Sequence, residues 1–385
     1  MKKVLVALAC LGLFVSGLTA TAGAGPTPGG YASDNIEWVT TVPFNGPTAT
    51  GANFFKSGGD HYMLVTSWHN FAIYNINEPE SPQLVGDPVP FGFKFENEDV
   101  ATNGDIMLFS ETLPGSDLHV WDIEDKSNPV EIATVTGAGD HTTECILDCK
   151  WAYGSEGTIT DLRNPAEAKM LKEKWTDGQP PLGSTHDVTE VSPGIVLTST
   201  DPMLLLDARK DPVHPKLLAV SEKYDANGLP FHSNLWPREM KERFVIAGGE
   251  TCCGAEQCSE STAASFMTWD TKNWKKTGTF KLVDQYWAYQ GTVTDGGGVA
   301  SAPFGCSPHW FTTHPDYKNG GVVAVGWYNS GTRFLEVSSK GKISEIGWFL
   351  PAAGGTSGAY FINDEIVYAV DYQRGIDVLR FTGKA

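Results

Sequence analysis

The sequence is poor in basic residues: 28 Lys and Arg stand against 46 Asp and Glu in 385 residues, a formal net charge of −18. Nucleic acids and anionic membranes attract proteins through clustered positive charge. This balance therefore argues against both as the main partner. A surplus of acidic residues is also typical of an ordinary, well-solvated surface.

Two catalytic motifs are missing as well. The chain contains no Gly-x-Ser-x-Gly elbow, so Ser184 and Ser233, which lie close to histidines, do not indicate a serine hydrolase. The nearest approach to a phosphate-binding loop, residues 247–250, lacks the Lys and the helical pattern that such a loop requires. The sequence gives no support to a serine nucleophile or to nucleotide binding.

Long apolar runs are almost absent. The exception, residues 4–17, follows Lys2 and Lys3 and precedes the small residues 20–22. We expect residues 1–22 to be a cleaved secretory leader, so that the mature protein is exported. No other stretch reaches membrane-spanning length, and we expect no stable membrane insertion. Residues 23–34, rich in Gly, Pro, Thr and Ala, are expected to form a flexible tail before a single domain at 35–385.

Cysteines are also few, and six remain after the leader: Cys145, Cys149, Cys252, Cys253, Cys258 and Cys306. An even count in an exported chain favours disulfides, and six cysteines allow 15 pairings. The pair Cys145 and Cys149 is the simplest guess. The group at 252–258 lies in an Ala-, Glu- and Ser-rich insertion, where we expect a disulfide rather than a metal cluster.

What the sequence does contain is a repeat. An apolar β-run ends in an acidic or amide residue, and a turn that often contains Pro follows. The phrase occurs at 73–76, 120–123, 159–162, 205–208 and 268–271, and in weaker form at 334–337 and 378–381. A period of roughly 40–50 residues built from short strands is typical of a β-propeller.

The repeat predicts an all-β, seven-bladed β-propeller. The last repeat has only three strands before the sequence stops, whereas the segment at 36–42 is a strand without a repeat of its own. We expect this N-terminal strand to pair with the last blade and to close the ring, because closure removes two open sheet edges.

Two of the phrases also carry a family resemblance. Residues 71–76, Phe-Ala-Ile-Tyr-Asn-Ile followed by Pro79 and Pro82, and residues 118–123, Leu-His-Val-Trp-Asp-Ile followed by Pro129, resemble the LVIVD-repeat β-propeller family. The resemblance covers about residues 36–385 and is looser in the last three repeats. It implies a secreted or surface-exposed propeller, but it implies no particular activity.

Histidines recur at one position of the repeat. The predicted starts of the inner strands carry Asn53, 96–98, His141, His186, His232, His309 and Ser357. Four consecutive blades thus place a histidine at the same point, although the chain has only nine histidines. Because inner strands surround the central channel, these four imidazoles are expected to converge there. Neutral imidazole is a good ligand for transition metals, so the pattern predicts a metal site with Fe, Cu, Mn or Zn rather than Mg or Ca.

Carboxylates are expected at the same channel mouth, because the second strands end there. The candidates for a catalytic base or for a residue that orients the ligands are Glu111, Asp201 and Glu250. One hypothesis is a metal-dependent oxidoreductase or lyase that acts on a small molecule. Another is a monomeric binding or scaffold propeller that recognises a glycan, a peptide or a cell-wall component without catalysis. The histidines could also serve only as hydrogen-bonding struts between blades.

Overall fold

The fold was analysed in a computed structural model, which describes residues 29–44, 49–94, 98, 100–111, 113, 115–183, 185–224, 231–250, 264–288, 305–351 and 353–384. The predicted leader, Glu96 and the cysteines at 252–258 lie outside these residues. The regular secondary structure of the described chain is almost entirely β. Its short helical elements are a 3₁₀ turn at Pro165–Glu167 and helical turns at Pro237–Met240 and Trp274–Thr277.

The strands form four-stranded antiparallel units that follow one another along the chain. The first unit comprises β3 (Ala49–Ser57), β4 (Asp60–Ser67), β5 (Asn70–Asn75) and β6 (Gln83–Pro90). The second comprises β7 (Ala101–Thr102), β8 (Ile106–Ser110), β9 (Ser116–Asp122) and β10 (Val130–Gly139). The third comprises β11 (Thr143–Ile146), β12 (Trp151–Gly154), β13 (Ile159–Asp161) and β14 (Lys169–Met170).

The later units keep the same order. One comprises β15 (Thr185–Ser192), β16 (Ile195–Thr200), β17 (Leu204–Asp207) and β18 (Lys216–Ser221). The next comprises β19 (Phe231–Leu235), β20 (Phe244–Gly249), β21 (Phe266–Asp270) and β22 (Thr279–Tyr286). Another comprises β23 (Trp310–Thr313), β24 (Gly321–Trp327), β25 (Gly331–Val337) and β26 (Ile343–Pro351). The last three strands are β27 (Thr356–Phe361), β28 (Ile366–Asp371) and β29 (Gly375–Phe381).

The acidic or amide residue of the repeated phrase has a structural role. At the end of the third strand of a unit, its side-chain oxygen accepts a hydrogen bond from the backbone N–H two residues later. The distance is 3.0 Å for Asn75, 2.9 Å for Asp122 and 2.8 Å for Asp270. Such side chains favour turns because they mimic a backbone turn. The repeat therefore marks where each third strand stops.

The apolar residues of the strands pack between neighbouring sheets. Met63 and Val65 of the first unit, for example, belong to one buried cluster with Tyr368 and Val370 of β28. Residues of the first unit thus pack against residues some 300 positions later in the sequence. Stacking of successive sheets in this way buries both faces of each sheet, as a propeller requires.

The N-terminal strand β2 (Ile36–Val42) pairs with β29, as its lack of a partner in the sequence predicted. The antiparallel register runs from Ile36 opposite Phe381 to Val42 opposite Ile376. The buried Asp377 of β29 accepts a hydrogen bond from Thr41 of β2 and pairs with Arg374 at 2.8 Å. Backbone pairing and the hydrogen bond from Thr41 to Asp377 therefore join the two segments, and Arg374 compensates the buried charge of Asp377.

Part of the predicted flexible tail belongs to a sheet. Residues Gly30–Ala32 form strand β1, which pairs antiparallel with β26. The backbone N–H of Ser33 also donates to the carbonyl of Trp348, at 3.0 Å. The tail prediction is therefore wrong for this stretch. Backbone hydrogen bonds hold this edge strand, and they do not require the apolar pattern from which a strand is recognised in a sequence.

The simplest cysteine pairing is present. Cys145 and Cys149 form a disulfide between β11 and β12, with Cα atoms 4.4 Å apart, and Cys306 is disulfide-bonded as well. Among the described residues, no helix combines the length and apolar character needed to cross a bilayer.

Candidate metal centre

The first strands of four successive units carry the predicted histidines to one place. His186 and His232 are the second residues of β15 and β19. His309 directly precedes β23, and His141 lies two residues before β11. Because each unit repeats the same strand order, the starts of these inner strands lie at the same end of the sheets.

The four imidazoles lie side by side in chain order. Ring centroids are 4.3 Å apart for His141 and His186, 3.8 Å for His186 and His232, and 4.1 Å for His232 and His309. Residues up to 168 positions apart in the sequence are thus in direct contact. The predicted convergence of these side chains is present in the structure.

A carboxylate lies among the rings. Glu98, three residues before β7, places Oε1 2.8 Å from Nε2 of His141 and 3.5 Å from Nε2 of His186. Its Oε2 lies 3.5 Å from Nε2 of His232 and contacts Nε2 of His309. The side chain is buried, so this charge is removed from water and depends on the imidazoles for compensation.

Two of the imidazoles are buried with unsatisfied nitrogens. Within the described part of the chain, neither ring nitrogen of His186 or His232 has a hydrogen-bond partner. His232 is 0% exposed. Buried polar groups in folded proteins nearly always find a partner, and an unpaired one costs about 1–3 kcal/mol. A metal ion would satisfy these nitrogens.

One contact defines the tautomer of His309. Its Nδ1 lies 2.6 Å from the carbonyl oxygen of Ser357. A carbonyl can only accept, so Nδ1 carries the proton and donates it. In the neutral ring, Nε2 then has a lone pair directed at Glu98, and two acceptors face each other. Either a proton or a cation between them relieves this conflict. A backbone carbonyl that accepts a hydrogen bond from one ring nitrogen and so fixes the ring is typical of metal-ligating histidine.

Burial and mutual repulsion favour the neutral forms of His186 and His232. Burial, followed by the charges of His232 and His141, lowers the pKa of His186 well below its ordinary value. The same burial and the charge of His309 lower the pKa of His232. Burial alone would raise the pKa of Glu98, but the imidazoles outweigh it and lower that pKa well below the usual range. Neutral imidazole and ionised carboxylate are the forms that bind metals.

Glu250 is the second carboxylate of the cluster. It follows β20 directly, and its Oε2 lies 3.7 Å from Nε2 of His186. Ligand atoms of Glu250, His232 and His309 lie within 4.8 Å of one another, as do those of Glu98, His186 and His232. The other oxygen of Glu250, Oε1, accepts a hydrogen bond from the hydroxyl of Tyr328, at 2.9 Å.

The other two predicted carboxylates lie in different surroundings. Glu111 contacts Lys94 and lies 3.2 Å from Nε2 of His119, in a separate, partly exposed group. Asp201 accepts a hydrogen bond from the backbone N–H of Tyr224 at 2.9 Å. Neither has a described contact with the four histidines, because local partners hold each side chain where its strand ends.

Beside the histidine cluster, hydroxyl groups rather than imidazoles make most of the hydrogen bonds between neighbouring units. Thr142 donates to the carbonyl of His186 at 2.8 Å, and Ser233 to that of His309 at 2.5 Å. Neither the His186 ring nor the His232 ring makes such a hydrogen bond within the described residues. A role as a hydrogen-bonding strut between units therefore explains the Nδ1 contact of His309. It does not explain His186 or His232.

Sequence reasoning did not assign a role to Glu98 or to Tyr328. Glu98 was placed at an inner-strand start, but no feature of the stretch at 96–98 distinguished a ligand from a surface acid. Tyr328 follows β24, and its ring centroid is 4.5 Å from that of His309. The one available signal is the repeat position, since each residue occupies the position that the histidines or carboxylates take in other units.

Comparison with known proteins supports the fold alone. No family model matches the chain, and no curated protein matches it, so the LVIVD resemblance stays a prediction. The chain is similar in structure to the β-propeller domain of Cps50 (Swd1) from Myceliophteria thermophila, with a TM-score of 0.58 and 12% identity over 89% of this chain and all of that one.

Two further structures are similar to the same extent. The WD40 β-propeller domain of Doa1 has a TM-score of 0.54 and 10% identity over 89% of this chain and 96% of that one. YCF48 from Cyanidioschyzon merolae has a TM-score of 0.56 and 11% identity over 90% of this chain and 98% of that one. The chain is thus an all-β protein of the β-propeller class.

Proposed function

We propose that the protein is an exported, seven-bladed β-propeller that binds a transition metal at the mouth of its channel. The observation that carries the metal site is the set of buried ring nitrogens of His186 and His232, which have no hydrogen-bond partner among the described residues and lie around the buried carboxylate of Glu98. Without a cation, this arrangement leaves several buried polar atoms unsatisfied.

The blade number rests on the strand groups. Six complete four-stranded units and a seventh made of β27, β28, β29 and β2 account for every described strand except β1. Seven blades closed by the N-terminal strand agree with the repeat count. Export rests on the leader-like segment at 1–22, and the LVIVD-repeat resemblance is compatible with it. N-terminal sequencing of secreted protein tests the leader, with a start at or near residue 23 as the expected result.

The donor set favours a first-row transition metal. Four imidazoles suit Fe, Cu, Mn and Zn, whereas Ca²⁺ and Mg²⁺ prefer sites made of oxygen atoms. Glu98 adds one carboxylate, and Glu250 a second that Tyr328 holds in place. Such an ion would polarise a substrate carbonyl or activate oxygen or water. Glu250 is the candidate proton acceptor beside it, which makes a metal-dependent oxidoreductase or lyase the leading function.

A second candidate is recognition of a ligand without catalysis. The supporting observation is an aromatic surface at the mouth end of β4, where Phe93 is 55% exposed. The Phe93 ring contacts Trp68 edge-on at 5.9 Å and His69 at 5.5 Å. Exposed aromatic faces of this kind suit a glycan or another flat ligand. If this is the function, substitution of Phe93 will affect ligand binding more than substitution of the histidines.

Elemental analysis tests the metal site. The protein is purified without a polyhistidine tag, loaded with excess Zn²⁺ or Mn²⁺, desalted and analysed. We expect stoichiometric metal in the wild type and a lower metal content per chain in His232→Ala and His186→Ala. The matched control is His119→Ala, which removes an imidazole that lies between Glu111 and Glu131 outside the cluster. Folded wild-type protein without bound metal would refute the proposal.

A further inference from the structure

We infer that the centre holds two metal ions, bridged by Glu98, rather than one. The inference rests on the proposed metal site and concerns its nuclearity. It follows from how the two oxygens of a single buried carboxylate divide the four imidazoles between them.

Each oxygen of Glu98 faces its own pair of histidines. Oε1 lies 2.8 Å from Nε2 of His141 and 3.5 Å from Nε2 of His186. Oε2 lies 3.5 Å from Nε2 of His232 and contacts Nε2 of His309. A carboxylate that bridges two ions gives one oxygen to each of them. The four imidazoles therefore form two pairs, and each pair has its own carboxylate oxygen.

The pairing also follows the blades. His141 and His186 come from two successive units, and His232 and His309 from the next two. Each ion would thus lie between two neighbouring inner strands rather than on the axis of the channel. Ring centroids within the pairs are 4.3 Å and 4.1 Å apart, and the two pairs meet at His186 and His232, 3.8 Å apart.

Glu250 supplies a second carboxylate to the centre. Its Oε2 is 3.7 Å from Nε2 of His186, which belongs to the first pair. It also forms a potential ligand group with His232 and His309, the second pair. Glu250 is therefore within reach of both proposed ions. Two carboxylates and four imidazoles give each ion two nitrogen ligands and at least one oxygen, with open positions left for water or substrate.

A single ion would use these ligands less well. One ion bound by all four imidazoles requires their Nε2 atoms to converge on a common point. Instead, the Nε2 atoms divide between the two oxygens of Glu98, and this carboxylate lies at the centre of the rings. Two ions about 3.5–4 Å apart are a common arrangement in enzymes that act through a pair of metals.

Metal stoichiometry tests the inference. Untagged, folded protein is titrated with Cu²⁺, desalted and analysed for copper and protein, and its electron paramagnetic resonance (EPR) spectrum is recorded. We expect two ions per chain and the signature of two magnetically coupled ions. One ion per chain with an uncoupled spectrum would overturn the binuclear centre while leaving the metal site intact. No bound ion would overturn the proposed function itself.

Variants locate the ions without losing the whole centre. His141 and His186 are the more accessible pair, with side chains 26% and 11% exposed, so their joint replacement by Ala is the milder change. We expect His141→Ala/His186→Ala to bind one ion and to lose the coupling. His119→Ala is expected to keep two ions, because its imidazole belongs to another cluster. Retention of two ions by the double variant, or loss of one by His119→Ala, would place the second ion elsewhere and overturn the inference. The wild-type titration remains decisive if the double variant fails to fold.

Discussion

The hydroxyl of Tyr328 donates a hydrogen bond to Oε1 of Glu250 across 2.9 Å, while the other oxygen of Glu250 lies 3.7 Å from His186. The Tyr328 ring also packs beside His309, with centroids 4.5 Å apart. One tyrosine thus positions a carboxylate of the candidate centre and contacts one of its imidazoles. Partners of this kind orient metal ligands and tune their basicity.

Replacement of this tyrosine tests its positioning role. In Tyr328→Phe the ring is retained, but Glu250 loses its donor. We expect metal affinity to fall by about 10–100-fold, as is usual when an outer-shell partner is lost. Competition with a chelator of known affinity measures the change. Tyr224→Phe is the control, because its hydroxyl bonds Ser265 and Gln285 instead. Equal affinities in the two variants would remove Tyr328 from the centre.

Glu98 is expected to couple metal binding to stability. A ligand that binds only the folded state at about 100 times its Kd stabilises it by about 2.7 kcal/mol. We expect this gain in the wild type and its loss in Glu98→Gln, since the amide keeps the size of the side chain but not its charge. Chemical unfolding with and without Zn²⁺ measures both values. Glu131→Gln, which changes the exposed carboxylate beside His119, should keep the full gain; the same gain in Glu98→Gln would contradict the assignment.

The hydrogen bonds between neighbouring units contribute to the free energy of unfolding independently of any metal. Thr142→Val keeps the shape of the side chain but removes the 2.8 Å hydrogen bond to the carbonyl of His186. Because that carbonyl loses a buried donor, we expect the free energy of unfolding to fall by about 1–3 kcal/mol in metal-free protein. Urea titration provides the measurement. Thr277→Val, on an exposed turn, is expected to change it by no more than about 0.5 kcal/mol.

Asp371 makes stability depend on pH. Burial, and then the charge of Asp377, raises the pKa of Asp371 to about 7, and its Oδ2 is buried without a hydrogen-bond partner among the described residues. In the unfolded chain an aspartate ionises near pH 3.9. Between these two values the unfolded state releases a proton that the folded state keeps. This group therefore favours folding at low pH, and its contribution is lost as the pH rises towards 7.

The corresponding experiment compares wild type with Asp371→Asn in metal-free protein at pH 5 and pH 7.5. An amide does not ionise, so we expect the variant to gain stability relative to the wild type as the pH rises. The slope due to this one group is roughly 1.4 kcal/mol per pH unit. A difference between the two proteins that stays constant across this range would show that Asp371 is already ionised in the folded state.

The sequence was sufficient for the β-propeller class and for the positions of the histidines because both follow the repeat. Asn75 and Asp122 mark equivalent strand ends, and His186 and His232 begin equivalent inner strands, so sequence spacing converts directly into position. Glu98 escapes this reasoning because its unit has no histidine at the inner-strand start and the acids near it look alike in sequence. The different surroundings of Glu111 and Glu250 depend on side-chain partners that no repeat encodes.

Anomalous X-ray scattering from crystals of the metal-loaded protein tests the central claim most directly. With Zn²⁺ or Co²⁺, and data collected at the absorption edge, we predict anomalous peaks within bonding distance of an oxygen of Glu98 and of nitrogens of the four histidines: His141 and His186 for one ion, and His232 and His309 for the other. A loaded crystal whose anomalous peaks lie only elsewhere, such as beside His119, while these side chains remain well ordered, would contradict the account.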